Sequence, residues 1–451
     1  MKRTTLLLSL IVIAFAASSS FAQRTAVPDA LKSYIETALS QNSDVMATRA
    51  RWKNADAKVD ESNAALIPHL DFVSRFTQYS GGRIVTLPNV GSFNTTGLGV
   101  VPWDNKFEFV WPIGNYAIWQ SAGVSKALRD ASTAEVSAKE LAVTYQVSEA
   151  YYNYAKASEL VSIRENAVAL ASENLKMAQA LFSNDKTPKN DVLRAEVGVA
   201  AAQGDVLTAK NMAQLAKTNF NNLLKRNYDS EINIPKAEDL SALVGGGTDM
   251  ASTDGRQFGS TLPLLSEDAD RAFATRPELI QLMRTEQALQ GVRRANWGDF
   301  LPSISLFASY GWQETNLKFS SDADLLLGGV QLQWNFFSGF GTTAKVHEAE
   351  AQLEELRYQT EAATNGIKLE LESARLDKVN AVERISIAHK QLSSADENYR
   401  IVKLQYDNGV TTLITLLDAQ TTFANAKVNL TTTTFDVMIA DAKYKKALGL
   451  R

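Results

Sequence analysis

Apolar residues recur along residues 367–406 at alternating steps of four and three: Ile367, Leu371, Ala374, Lys378, Ala381, Ile385, Ala388, Leu392, Ala395, Tyr399, Val402 and Tyr406. Eleven of these twelve positions are apolar or aromatic. This heptad spacing predicts a helix that packs along its whole length against other helices. Its many alanines permit close approach of helix axes. The seam stops at Tyr406. Asn408-Gly409 then signals a turn, and Thr411 or Thr412 stands where it can cap a returning helix. The stretch Ile367 to Gln420 therefore reads as a helical hairpin with its tip near Gly409.

The same pattern occurs 224 positions earlier, as Val143, Val147, Ala150, Tyr154, Ala157, Val161, Arg164, Val168, Ala171, Leu175, Ala178 and Phe182. A tip follows in Asn184-Asp185-Lys186-Thr187-Pro188. Asp191-Val192-Leu193-Arg194-Ala195 then matches Thr415-Leu416-Leu417-Asp418-Ala419. Earlier in each half the offset is 234: Asn42-Ser43-Asp44-Val45 matches Arg276-Pro277-Glu278-Leu279, and Pro68 matches Pro302. Seam, tip and proline matching together make this an internal duplication rather than chance likeness between alanine-rich helices.

Between the helices the period changes from 3.5 to two. Leu70, Phe72 and Phe76 alternate with Asp71, Arg75 and Thr77, and Phe107, Phe109, Trp111 and Ile113 with Lys106 and Glu108. In the second half Ile304, Leu306, Ala308, Tyr310 and Trp312 oppose serines and glycine. Val330, Leu332, Trp334 and Phe336 oppose Gln331, Gln333 and Asn335. A Gly-, Pro- and Asn-rich loop fills 81–102. Strands of about ten residues with one apolar face match the length and alternation of outer-membrane barrels; the commoner alternative is a soluble sheet with one wet face. Four strands cannot close a barrel, and open edges are not tolerated in lipid. Sharing the barrel among three copies would give twelve strands.

Helix lengths agree with one repeated plan. Asn115 to Phe182 spans 68 residues, roughly 100 Å at ~1.5 Å per residue, and Ser338 to Tyr406 is similar. The returning helices, Lys189 to Arg226 and Thr412 to Leu448, are shorter. Ser266 to Trp297 and Asp29 to Ala65 are expected to stack on them, with Pro277 in a first helical turn.

Composition sets the context. Lys2 and Arg3 precede an apolar run from Leu6 to Ala17, and Ser20-Phe21-Ala22 suits a cleavage site, so residues 1–22 read as an export signal. Losing Lys2 and Arg3 shifts the formal charge from −4 to −6, which carries no nucleic-acid footprint. The absence of cysteine excludes disulfides and lipid attachment to an N-terminal cysteine. No later run is apolar enough for a membrane helix. The organisation expected is a first repeat over 23–226, a Gly-, Ser- and Thr-rich linker or wrapped segment over 227–265, and a second repeat over 266–451. The strand hairpins fall at 70–113 and 303–337. The helical hairpins fall at 115–226 and 338–448.

The duplicated strand–helix hairpins, the Leu-Pro bend before the odd strands and the tip Tyr-x-x-Gly-x-x-Thr-Leu-x-x-Leu-Leu-Asp-Ala-Gln resemble the TolC family of outer-membrane efflux proteins. The resemblance covers nearly the whole mature chain. It implies a mainly α protein with a transmembrane β-barrel: a homotrimer whose shared twelve-stranded barrel continues as a helical tunnel in the periplasm. A periplasmic adaptor and an inner-membrane pump would be its partners. It implies passive export with no cofactor and no bond made or broken.

Carried over position by position, the family's gate tyrosine falls on Tyr406 and acidic entrance positions fall on Asp191 and Asp418. A further acidic position falls on Thr415 and the latching arginine on Thr411, both departures. The resemblance therefore implies a gate held by neutral hydrogen bonds, with a carboxylate ring from Asp191 and Asp418 favouring cations. The plainer readings are a solvated carboxylate for Asp418 and a helix-start residue for Asp191. Adaptor contacts would fall at the tips, Asn184, Asp185, Asn408 and Gly409. Trp103, Trp111, Trp312 and Trp334, near strand ends, suit a membrane interface or sheet packing.

Enzyme signatures are lacking: there is no nucleophile elbow, phosphate loop or metal-ligand spacing. His69, His347 and His389 are scattered and make a poor metal site. Two other readings stand beside efflux: a conduit for type I protein secretion, and an exported coiled-coil scaffold or adhesin.

Overall fold

The computed structural model describes residues 29–77, 84–87, 91–94, 103–234, 265–314 and 324–451. The expected signal segment and most of 227–265 lie outside the described residues. In order, the elements are α1 (Asp29–Gln41), α2 (Ser43–Ala64), β1 (His69–Phe76), β2 (Ile84–Leu87), β3 (Gly91–Asn94), β4 (Trp103–Gly114), α3 (Tyr116–Ser183), α4 (Lys189–Leu223), α5 (Leu265–Thr275), α6 (Pro277–Gly298), β5 (Ser303–Glu314), β6 (Asp324–Gln333), α7 (Gly341–Asp407) and α8 (Leu413–Ala447).

The duplication is written into these bounds. α4 and α8 begin and end 224 residues apart, and α2 and α6 begin and end 234 apart. Positive φ recurs at the same offset, at Asp185 and Gly409 and again at Lys225 and Gly449.

Three expectations are corrected. The helix expected over Asp29 to Ala65 is broken at Asn42, whose side-chain oxygen accepts from the Asp44 amide at 2.9 Å and so starts α2. The helix expected from Ser266 to Trp297 is broken at Arg276, because Pro277 cannot continue the preceding hydrogen-bond ladder and instead opens α6. The loop expected over 81–102 holds a small hairpin, β2 pairing with β3. A fourth difference is smaller: β6 ends at Gln333 rather than Phe336, where Asn335 Oδ1 accepts from the Phe337 amide at 3.3 Å and turns the chain.

Contacts divide the chain into two compact units. One comprises Thr48–Val136 and Pro277–Ala363. Its sheet is antiparallel in the order β1-β4-β5-β6. The register sets Phe72 opposite Phe107, Phe107 opposite Tyr310, and Tyr310 opposite Leu326. Leu306 and Ile304 likewise meet Val330 and Leu332. Because side chains alternate, these positions share one apolar face. The other face carries Asp71 opposite Glu108, Glu108 opposite Ser309, and Ser305 opposite Gln331. In the same unit α6 lies close on α3: a Cβ at Gly291 would meet Val124 at 2.7 Å and one at Gly298 would meet the Ala117 amide at 3.0 Å.

The other unit comprises Met1–Ala47, Ser137–Arg276 and Thr364–Arg451. Its α7 seam is buried as the heptads require, from Ile367 and Leu371 to Val402 and Tyr406. Its one cationic position, Lys378, pairs with Asp441 of α8 at 2.7 Å. The α3 seam is less regular: Arg164 pairs with Asp205 of α4 at 3.3 Å, and Phe182 faces outward, so burial has drifted to Ile163 and Asn174.

The unit also holds two equivalent junctions of different chemistry. In the first repeat Tyr34 packs edge-on against Phe220 at 5.2 Å, and Asn42 donates to the Leu223 carbonyl at 3.4 Å. In the second repeat the positions matching Tyr34, Asn42 and Phe220 are Asp268, Arg276 and Tyr444. Tyr444 donates to the buried Asp268, and the fully buried Arg276 pairs with Glu370 of α7, which also takes Lys446 of α8 at 3.1 Å.

Candidate gate and membrane face

The tips of both hairpins close by the same device. The Lys186 amide reaches the Leu181 carbonyl at 2.9 Å and the Asp185 amide reaches Phe182 at 3.0 Å. At the second tip the Val410 amide reaches Gln405 at 2.8 Å and the Gly409 amide reaches Tyr406 at 2.9 Å. This double closure needs a left-handed residue, supplied by Asp185 at φ 54° and by Gly409 at φ 70°. Asn184 and Asn408 donate their side-chain amides to Ala180 and Leu404, each at 2.7 Å. These asparagines therefore spend their amides within the caps.

Around the second tip Tyr406 is buried in a four-helix cluster with Ala178, Ala195, Leu413 and Leu416. Its hydroxyl is buried and has no hydrogen-bond partner among the described residues, and the same holds for the Thr187 hydroxyl at the first tip. Burial raises the Tyr406 pKa, and the charges of Asp191 and Asp407 raise it further. Tyr406 and Asp191 are thus electrostatic neighbours. Asp191 lies in the first turn of α4, favourably placed for the helix dipole.

The remaining expected residues separate from this pair. Thr412 is the N-cap of α8, and Thr415 completes that cap, its amide donating to Thr412 Oγ1 at 3.4 Å and its hydroxyl lying 3.1 Å away. Thr411 precedes the cap and is half-buried. Asp418 is exposed and lines a cavity of about 560 Å³ between α4 and α8 with Leu193, Arg194, Val197 and Ile414. Asp191 does not line it.

Deeper along the same helices is a level that the heptad reading passes over. Buried Asn174 of α3 donates to buried Gln420 of α8. Next to it Lys403 pairs with Glu173 at 3.1 Å, and Tyr399 stacks on Phe423 at 5.6 Å. Gln420 stands in the tip motif, but nothing in the spacing marks Asn174 as its partner.

The four tryptophans fall into two kinds. Trp111 Nε1 donates to the Leu66 carbonyl and Trp334 Nε1 to the Phe300 carbonyl, both at 3.0 Å. Leu66 and Phe300 are equivalent in the duplication, so each tryptophan pins a helix-to-strand corner. Trp103 packs on Phe76 at 4.9 Å, and Trp312 joins Phe72, Phe107 and Tyr310. Trp103 and Trp111 are eight residues apart on β4, about 26 Å at ~3.3 Å per residue.

Among the described residues no group of three or more His, Cys, Asp or Glu is arranged to hold a metal ion, and no helix is long and apolar enough to cross a membrane.

A family model described as outer membrane efflux protein matches residues 34–224 and 269–450. Outer membrane protein TolC of Escherichia coli is 22% identical over 451 residues, covering 96% of this chain and 84% of that protein. Alkaline protease secretion protein AprF of Pseudomonas aeruginosa is 22% identical over 340 residues, covering 73% of this chain and 65% of that protein. Among solved structures CusC, described for transmembrane channel formation, superposes with a TM-score of 0.77 at 14% identity, covering 96% of both chains.

Proposed function

Because the chain belongs to the outer membrane efflux protein family, an outer-membrane channel family and not an enzyme family, we propose that it is the exit duct of a tripartite efflux system. Three copies close a twelve-stranded barrel, which continues as a helical tunnel in the periplasm. An adaptor meets the tips around Asn184, Asp185, Asn408 and Gly409, an inner-membrane pump supplies the energy, and small molecules leave passively.

The observation that carries this reading is the sheet. It has one continuous apolar face, exposed in the single chain at Leu70, Phe72, Leu326 and Val330. Among the described residues its outer strands β1 and β6 each have only one partner. Such a sheet is stable in lipid only when both edges are paired.

The resting gate is formed around Tyr406. Its hydroxyl is buried without a partner among the described residues, so it would meet a neighbouring copy or tunnel water only when the helices at the tip part, while Thr411 supplies no ionic latch. Asp191 and Asp418 together give six carboxylates at the entrance of a trimer, which favours cations.

Current through the purified protein in a planar bilayer under a salt gradient tests both parts. Discrete steps with a cation-selective reversal potential, weakened in Asp418→Ala, support the pore and its charged entrance. Steps without cation preference remove the charge ring, and no steps in any preparation remove the pore. A second reading, a conduit for protein secretion, draws on the likeness to AprF and differs in the pump served. Family membership leaves the scaffold reading without support.

A further inference from the structure

We propose that Asn398 of α7 and Glu196 of α4 in the adjacent copy form a clasp between copies, at the level where Asn174 and Gln420 form one within each copy. The proposal rests on the trimeric reading and names two side chains that neighbouring copies contribute jointly.

Helix α3 buries a second line of residues beside its heptad seam. Tyr152, Ile163 and Asn174 follow each other at steps of eleven and are 8%, 3% and 2% exposed. Eleven residues complete three helical turns, so the three share one face. Helix α8 lies along this line. Tyr152 clusters with Phe435, Lys156 pairs with Asp436 at 3.2 Å, and Asn174 donates to Gln420. The contact is antiparallel, α8 descending as α3 rises.

The duplication writes the same line on α7, 224 residues on, as Leu376, Ile387 and Asn398. The order is kept: two large apolar residues, then asparagine. Yet Leu376 and Ile387 are 47% and 56% exposed, and Asn398 is exposed as well. Among the described residues no helix buries this line.

The occupant follows from the repeat. The counterpart of α8 is α4, and its matching surface is also bare: Glu196 is exposed, and Leu207 and Met212 are 71% and 59% exposed. In a closed ring the second repeat of one copy meets the first repeat of the next, so the contact of α3 with α8 recurs as α7 with the neighbour's α4. Moved by 224, the Lys156–Asp436 contact becomes Asn380 against Met212, and the Asn174–Gln420 contact becomes Asn398 against Glu196. Between these two points Ile387 falls level with Leu207, which covers one exposed apolar side chain with another.

The chemistry of the two clasps differs. Within a copy, one side-chain amide bonds to another. Between copies the Asn398 amide donates to the Glu196 carboxylate, a charge-assisted bond and the stronger kind. The six clasps of a trimer therefore alternate, neutral within copies and charged between them. They lie about 12 Å from Tyr406 along α7, at ~1.5 Å per residue.

The chain has no cysteine, so the double variant Asn398→Cys with Glu196→Cys carries two thiols per copy and no others. The full-length protein in detergent is oxidised with copper phenanthroline and run on a denaturing gel. The expected result is dimer and trimer bands that a reducing agent returns to monomer. Asn174→Cys with Gln420→Cys should instead close within one copy. Ile387→Cys with Glu196→Cys, about 16 Å out of register, should stay unlinked. Light scattering of the unoxidised protein counts the copies independently. A trimer in which 398 and 196 do not link, or link only within one copy, overturns the clasp alone, as does equal linking of 387 and 196. A single copy in solution removes the trimer and the clasp together. As a second measurement, Asn398→Asp sets two carboxylates against each other. Resting conductance in a planar bilayer should rise severalfold, and adding Glu196→Gln should return it to the parent value. Absence of the rise, or of the return, overturns the pairing.

Discussion

At the scale of single residues, the two tips show one backbone problem solved by two residue types. Asp185 and Gly409 hold the same left-handed position, and nothing lies within 4 Å of a Cβ added at Gly409. Gly409→Ala therefore meets no clash and pays only the backbone cost, about 1 kcal/mol. Amide exchange at the second tip should then quicken about fivefold, since ~1 kcal/mol is that factor at room temperature; Asp185→Gly should slow exchange at the first. Tyr406 gives the complementary case. Its hydroxyl has no partner in the chain, so Tyr406→Phe should leave the melting temperature nearly unchanged. If that hydroxyl closes the gate between copies, the same variant should raise the resting conductance. A large loss of stability with no change in conductance would assign the tyrosine to core packing.

Among the elements, the two broken helices differ most where the duplication says they should agree. Asn42 joins its helices through neutral contacts, while Arg276 joins α5, α7 and α8 through a buried charge. Removing one partner of a buried ion pair costs about 3–5 kcal/mol, against about 1 kcal/mol for a lost neutral hydrogen bond. Arg276→Gln should thus lower the melting temperature far more than Asn42→Ala.

The pH dependence has a definite sign. Burial raises the Glu370 pKa, but Arg276 and Lys446 outweigh it and leave the group below its ordinary value. Asp441 behaves likewise, with burial opposed by Lys378 and Lys445. For both, the unfolded chain binds protons more readily, so their stabilisation is complete above the ordinary carboxylate range of about 4 and is lost as pH falls below it. Melting temperature should be flat near neutrality and fall in acid, and Glu370→Gln should remove part of that fall.

The elements were also the most legible level of the sequence. Heptads, period-two alternation and the repeat offset located the long helices and the strands to within a few residues, because burial enforces those periods. The break at Asn42 was hidden because it depends on a local side-chain cap inside an otherwise helical pattern, whereas Pro277 already marked a helix start. The Asn174–Gln420 pair was hidden for another reason: a contact 246 residues apart leaves no periodic trace. At the candidate gate, Tyr406 and Asp191 were each singled out by the family resemblance, but that they are neighbours emerged only from the structure. Thr412 was legible as one of two candidate caps, whereas the part of Thr415 in that cap emerged only from the geometry.

For the molecule as a whole, the sheet's two faces make opposite demands. Val330 lies on the apolar face and Gln331 on the other. An arginine at mid-membrane on a lipid-facing position costs about 2–4 kcal/mol, whereas a lumenal one is tolerated. Val330→Arg should deplete the protein from the outer-membrane fraction, while Gln331→Arg should insert normally and shift ion selectivity. Equal behaviour of the two variants would refute the assignment of faces.

The unlike edges of that sheet have a consequence for how the protein is made. In the proposed trimer β1 of one copy would meet β6 of the next, a head-to-tail contact that closes into a ring only at the correct rotation and otherwise propagates into open chains. Until the ring shuts, each copy carries two bare strand edges, which are templates for aggregation. On that proposal the hazardous interval would be the wait for two partners, which shortens as fresh copies become more concentrated.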